Sequence, residues 1–157
     1  MGLDQYLYIE KFISPIRGVA EGIEWNALLD VLDAQAFRSS AMFPSATISI
    51  LAFQWCKSTA IHSWFVKNCQ DNVDDCRKTF IPREQLVELV DACTVILRNR
   101  DTDISNTLLP TLDALIYKDI TKYTDFYYDD LEATVDGLNN ILNNLPDDCE
   151  IYYQASW

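Results

Sequence analysis

Glycine is scarce, with four in 157 residues, and the four form no glycine-rich turn of the kind that cradles a phosphate. That excludes the P-loop and the dinucleotide-binding fingerprint. The chain has one histidine and no CxxC pair, and neither HExxH nor GxSxG occurs, so the common zinc-protease and hydrolase signatures are missing as well. Basic side chains are also few, 12 against 24 acidic ones, for a formal net charge of −12. A charge of that sign repels phosphate backbones and provides none of the counterion release that drives nucleic-acid binding. Neither nucleic acid nor an anionic membrane is expected as a partner. No run of about eighteen apolar residues exists to span a bilayer, and the start of the chain has no basic segment followed by an apolar one. Five cysteines are an odd number at spacings that suit helix positions, which suggests reduced thiols in a cytosol-like compartment.

What is present is apolar and aromatic. Hydrophobic residues make up 49% of the chain and aromatic ones 12%, enough to bury a core without metal or disulfide help. One domain over residues 1–157 is expected. Residues 3–12 alternate loosely around Tyr6, Leu7, Tyr8 and Ile9 as a half-buried strand does, and Ser14, Pro15 and Gly18 punctuate the end. In residues 24–38, Trp25, Leu28, Leu29, Leu32 and Ala36 recur at three and four, the amphipathic helix period. Residues 42–53 hold Pro44 and the β-branched run Thr47, Ile48 and Ile50, which predicts a short strand.

From about residue 54 to 69, helical spacing puts Trp55, Thr59, His62 and Val66 on one stripe and Lys57, Ile61, Trp64 and Asn68 on the next. A central helix is predicted. A carboxylate-rich loop follows at 70–78, and then the clearest helix, with Pro82 in its first turn, Glu84 near its positive end, Leu86, Leu89, Val90, Cys93 and Leu97 at helix spacing, and Arg98 and Arg100 at its close. Residues 101–106 read as a polar linker, and the tyrosine-rich stretch after them has no clear period. Asp129 and Asp130 open a last helix that Pro146 stops, and residues 149–154 read as a terminal strand. Pairing the N- and C-terminal strands in a small antiparallel sheet, with about four helices packed on it, gives an α+β domain.

The residue types capable of chemistry crowd into residues 54–76. His62, Cys69 and Cys76, with Asp74 or Asp75, invite a zinc reading, but the six-residue gaps match no usual ligand spacing. On one helix, His62 and Cys69 lie roughly 10 Å apart at 1.5 Å per residue, too far for a thiol and its base. Asp71, Asp74 and Asp75 lack the glycine and distal glutamate of a calcium loop. No metal, cofactor or catalytic set is therefore assigned. Two surfaces stand out instead. Lys57, His62, Trp64 and Arg83 with Gln154 and Trp157 are candidates for a pocket that holds an anionic, nucleotide-like molecule against indoles. The carboxylates Asp71, Asp74, Asp75, Asp129 and Asp130 are candidates for contact with a protein partner.

Several separated motifs occur together: MGLDxYLY at the start, WxKxxAIHxWFV and QDxVDDC in the middle, then REQL, LLPT and YYxDL, and YQxSW at the end. With these the chain resembles a family of small proteins encoded by tailed bacteriophages and prophages. The resemblance brings no reaction with it. It implies family positions at Trp55, Lys57, Ala60, Ile61, His62, Trp64, Phe65, Gln70, Asp71, Asp74, Asp75, Cys76, Arg83, Pro110, Thr111, Tyr153, Gln154, Ser156 and Trp157. The chain departs from the family at Cys56 and Thr59, where members carry arginine and asparagine, and at Lys118, Asp119 and Ile120, where they carry a glycine-serine-threonine turn. Taken with the charge, it implies a host-cytosolic protein that acts by binding, an inhibitor of a host or bacterial-defence protein with a basic surface. The other expectation is a small-molecule binding or enzymatic domain.

Overall fold

In the computed structural model, which describes residues 2–14, 25–34, 45–111 and 123–157, the chain forms a four-stranded antiparallel sheet with helices against it. Strand β1 is Asp4–Ile13, β2 Ala46–Cys56, β3 Thr79–Phe80 and β4 Glu150–Ser156, in the spatial order β2-β1-β4-β3. Five helices occur among the described residues: α1 Trp25–Val31, α2 Thr59–Cys69, α3 Arg83–Asn99, α4 Thr102–Leu108 and α5 Asp125–Asn144. The fold is α+β, and the first and last strands pair antiparallel in the middle of the sheet, from Asp4 opposite Ser156 to Glu10 opposite Glu150.

Alternation along the two central strands decides which face meets the helices. Gln5, Leu7 and Ile9 on β1 lie opposite Ala155, Tyr153 and Ile151 on β4, and five of these six are fully or almost fully buried. Against this face pack Phe65 of α2, Leu86, Leu89, Cys93 and Ile96 of α3, and Leu131, Leu138 and Ile141 of α5. The other face carries Tyr6, Tyr8, Tyr152 and Phe80, with the Lys78 ammonium between the rings of Tyr8 and Tyr152, 4.8 Å and 5.3 Å from their centres, and bonded to Glu10. Helices α3 and α5 run antiparallel, since Arg83 at the start of α3 donates to the carbonyls of Leu145 and Pro146, just beyond the end of α5, while Arg100 beyond its other end reaches Glu132 at 3.1 Å.

Four sequence expectations change. The strand expected over 42–53 is β2, eleven residues long, and Trp55 belongs to it rather than to a helix. Its aromatic and β-branched residues pair along β1 as far as Cys56, and Lys57, at φ 60°, then turns the chain into α2. The stripe shared by Trp55, Thr59, His62 and Val66 therefore does not exist. The linker expected at 101–106 is α4: the Asp101 carboxylate accepts from the amides of Asp103 and Ile104 and caps its first turn. The last helix starts at Asp125, a full turn before Asp129. The periodic segment at 24–38 is helical from Trp25 to Val31 and turns at Leu32 and Asp33. Pro15, Gly18, Ala36, Pro44 and the Lys118, Asp119 and Ile120 departure lie outside the described residues, as does the Trp25 side chain.

Candidate functional site

Helix α2 aims His62 into the interior, where 2% of it is exposed. One ring nitrogen, Nδ1, is hydrogen-bonded to the Tyr153 hydroxyl at 2.8 Å, and the other, Nε2, to the Asp74 carboxylate at 3.1 Å. The second oxygen of Asp74 accepts from the Trp157 indole N–H at 3.0 Å. Gln154 donates to the carbonyl of Cys76, and Gln70 donates to the carbonyl of Arg77 and the hydroxyl of Thr79. Together these bonds fasten the 70–78 loop onto β4. With both nitrogens occupied and the ring out of solvent, His62 is a joint between loop and sheet and has no free valence for a substrate.

The six residues expected around an anion pocket thus fall into four places. His62, Gln154 and Trp157 belong to the loop anchor. Trp64 is buried in the core against Phe65, their ring centres 5.3 Å apart. Arg83 is spent on the carbonyls beyond α5 and on Asp147 at 3.8 Å. Lys57 lines a cavity, and it does so without the others.

Burial pushes the Cys69 thiol up to about 12, with Glu88 adding to the shift, and burial alone does the same to Cys93. Neither is a thiolate near neutrality, and His62 has no nitrogen left to deprotonate Cys69. Among the described residues no three histidine, cysteine or acidic side chains gather closely enough to share a metal ion.

The acidic candidates also separate. Asp71 and Asp75 flank Arg77, at 3.9 Å and 3.7 Å, and Asp74 is tied into the anchor. Asp129 faces solvent from α5, whereas its neighbour Asp130 is half-buried. The α5 sequence supplies a different grouping. Asp125, Asp129, Glu132 and Asp136, spaced four, three and four, lie along one exposed side of a twenty-residue helix that contains no lysine or arginine.

A cavity of about 450 Å³ opens between the start of α2 and the start of α5. Cys56, Lys57, Ser58, Thr59 and Ala60 form one wall, and Thr111, Thr124, Phe126, Tyr127 and Asp130 the other. Ser58 occupies the N-cap of α2, yet its hydroxyl makes no capping bond. The first amides of α2 are left without a side-chain cap, and the positive end of the helix dipole faces the cavity wall. Gln5 holds the Ser58 carbonyl from below at 2.6 Å. The Thr111 hydroxyl oxygen is buried and has no hydrogen-bond partner.

Burial raises the Asp130 carboxyl above its ordinary range, the Ser58 hydroxyl opposes that by favouring the anion, and Asp129 adds to the rise. No cation among the described residues is paired with it. Because its folded pKa lies above the unfolded one, the ionised group works against folding, and the penalty is lifted as pH falls through the folded value. Asp130→Asn is therefore expected to match or exceed the parent's melting temperature at neutral pH, with the gap closing in the acidic carboxylate range. Thermal unfolding followed by circular dichroism across pH checks this, and a lower melting temperature at neutral pH would contradict it.

Sequence reasoning missed this cavity, since three separate segments build it and only Lys57 had been singled out as a ligand residue. Phe126 was a usable signal: a phenylalanine between aspartate and tyrosines in a helix start, it stands 83% exposed at the rim. No helix among the described residues is long and apolar enough to cross a membrane. Comparison with known proteins finds no match: no family model, no curated protein and no solved structure is significantly similar to the chain.

Proposed function

We propose that the protein acts by binding another protein, as a small phage-encoded inhibitor that docks in the host cytosol on a basic surface of a host or defence protein. The observation that carries this reading is the carboxylate row on α5: Asp125, Asp129, Glu132 and Asp136 are exposed on one side, and among the described residues only Glu132 has a cationic partner, Arg100. In a chain of net charge −12 such a row focuses a negative field that accelerates encounter with a positive patch and repels nucleic acid. The sequence resemblance to tailed-phage proteins supplies the host setting. The surface that normally meets nucleic acid on a host protein has the complementary charge.

The test is native mass spectrometry of the tagged protein recovered from infected cells, alongside a variant carrying Asp125→Asn, Asp129→Asn, Glu132→Gln and Asp136→Asn. A stoichiometric protein partner is expected with the parent. The variant is expected to bind that partner about tenfold more slowly at low salt, with a flatter salt dependence, because exposed charges act mainly on association rate. Recovery of a small molecule alone, or equal binding by both forms, sinks the reading.

A further inference from the structure

The cavity at the head of α2 presents two opposite poles side by side. On one wall are Lys57 and the uncapped first turn of α2, both electropositive. On the other is Asp130, a half-buried carboxylate with no cation paired to it among the described residues. Ser58 lies between the two, for its main chain starts the helix while its hydroxyl favours the ionised form of Asp130.

We infer that this cavity binds a small zwitterion of the free α-amino acid class, with the carboxylate at the α2 amides and Lys57, the ammonium on Asp130, and an apolar side chain against Phe126 and Ala60. A plain anion would meet the Asp130 charge, and a plain cation would meet Lys57 and the helix dipole. A neutral molecule would leave the half-buried carboxylate uncompensated, an arrangement that folded proteins avoid. Only a ligand carrying both charges a bond or two apart satisfies both walls. A peptide does not, because its two termini are separated by its length.

One further observation points to an occupant. Phe126 is 83% exposed at the rim, where an apolar ligand side chain would cover it. The volume of about 450 Å³ falls in the range of small-molecule sites. The inference stands apart from the protein-binding reading, since its ligand does not touch the exposed carboxylates of α5.

The experiment is a titration of ¹⁵N-labelled protein with L-leucine, L-phenylalanine and L-tyrosine, and with N-acetyl-L-phenylalanine and L-phenylalaninamide, which each lack one charge. At least one free amino acid is expected to shift the amides of Ser58, Thr59, Ala60 and Phe126 saturably, and each blocked derivative to bind at least about tenfold more weakly, the loss of roughly one charged contact. Asp130→Asn is expected to lose binding by about tenfold and Phe126→Ala by about fivefold. Phe126 is exposed, so its replacement leaves the fold intact and reports on the site even where the aspartate variant does not. Absence of saturable shifts at these amides up to about 10 mM, or equal binding of the blocked derivatives, overturns the inference.

Discussion

Replacing Tyr153 by alanine is expected to cost about 4 kcal/mol, near the upper end of the range for emptying a large aromatic site. Tyr153 is fully buried at the centre of β4, where its ring stacks on Phe65 with centres 4.0 Å apart and planes 12° from parallel. Its hydroxyl is the partner of His62 Nδ1. Alanine therefore opens a cavity between sheet and α2 and also strands a buried imidazole nitrogen, two penalties of different origin. In a domain of this size a loss of about 4 kcal/mol lowers the melting temperature by roughly 10–15 °C. Tyr153→Phe separates the two contributions: it keeps the stack and removes only the hydroxyl, so a cost of about 1–2 kcal/mol is expected. Chemical denaturation of both variants checks the pair. Equal costs would show that packing is not what holds β4 to α2.

Gly137→Ala is expected to destabilise by about 2 kcal/mol, although the same change in an exposed helix interior would stabilise by up to about 1 kcal/mol. Gly137 lies in α5 where the helix crosses β2, and the Phe53 ring fills the space that a Cβ would take. That ring has little room to retreat. It packs edge-on against Trp55 at 4.7 Å, and the Trp55 indole N–H donates to the Thr134 hydroxyl of α5 itself at 2.8 Å. The glycine thus permits a close approach between helix and strand that Trp55 then locks. Gly137→Ala combined with Phe53→Ala is expected to cost less than the sum of the single changes by at least about 1 kcal/mol, because the truncated ring no longer meets the new methyl. Strict additivity in denaturant melts would refute that account.

The sequence disclosed the parts of this fold that announce themselves by period. Alternation in residues 3–12 and a strand-like run at 149–154 led to the pairing of the two terminal strands, and the recurrence of Leu86, Leu89, Val90 and Cys93 gave α3, whose buried side is made of those four residues and Ile96. The misreadings have local causes. Trp55 and Lys57 fit a helical stripe as well as a strand end, and only the ladder to β1 decides between them. Helix α4 was legible through Asp101 followed by Asp103 and Ile104, a cap read as a linker because the segment has few apolar residues. The sites were less visible. His62 meets Tyr153 across 91 residues, and the cavity at the head of α2 draws on segments around 56, 111 and 126, associations to which no local pattern corresponds. What His62 and Arg83 do was hidden for the same reason: a backbone carbonyl beyond α5 or a tyrosine on the last strand leaves no mark near the residue it binds.

The strand order β2-β1-β4-β3 bears on how the protein is made. During synthesis β1 leaves the ribosome before the other strands and can pair with β2 alone, its other edge remaining bare. The strand that belongs on that edge, Glu150–Ser156, is translated after the five described helices, and β3 has nothing to pair with until it arrives. Vectorial growth therefore cannot settle this sheet piece by piece. Its central seam closes in one late event, once the distal segment has cleared the exit tunnel, and until then the nascent chain presents an open, apolar edge to whatever folding factors attend it.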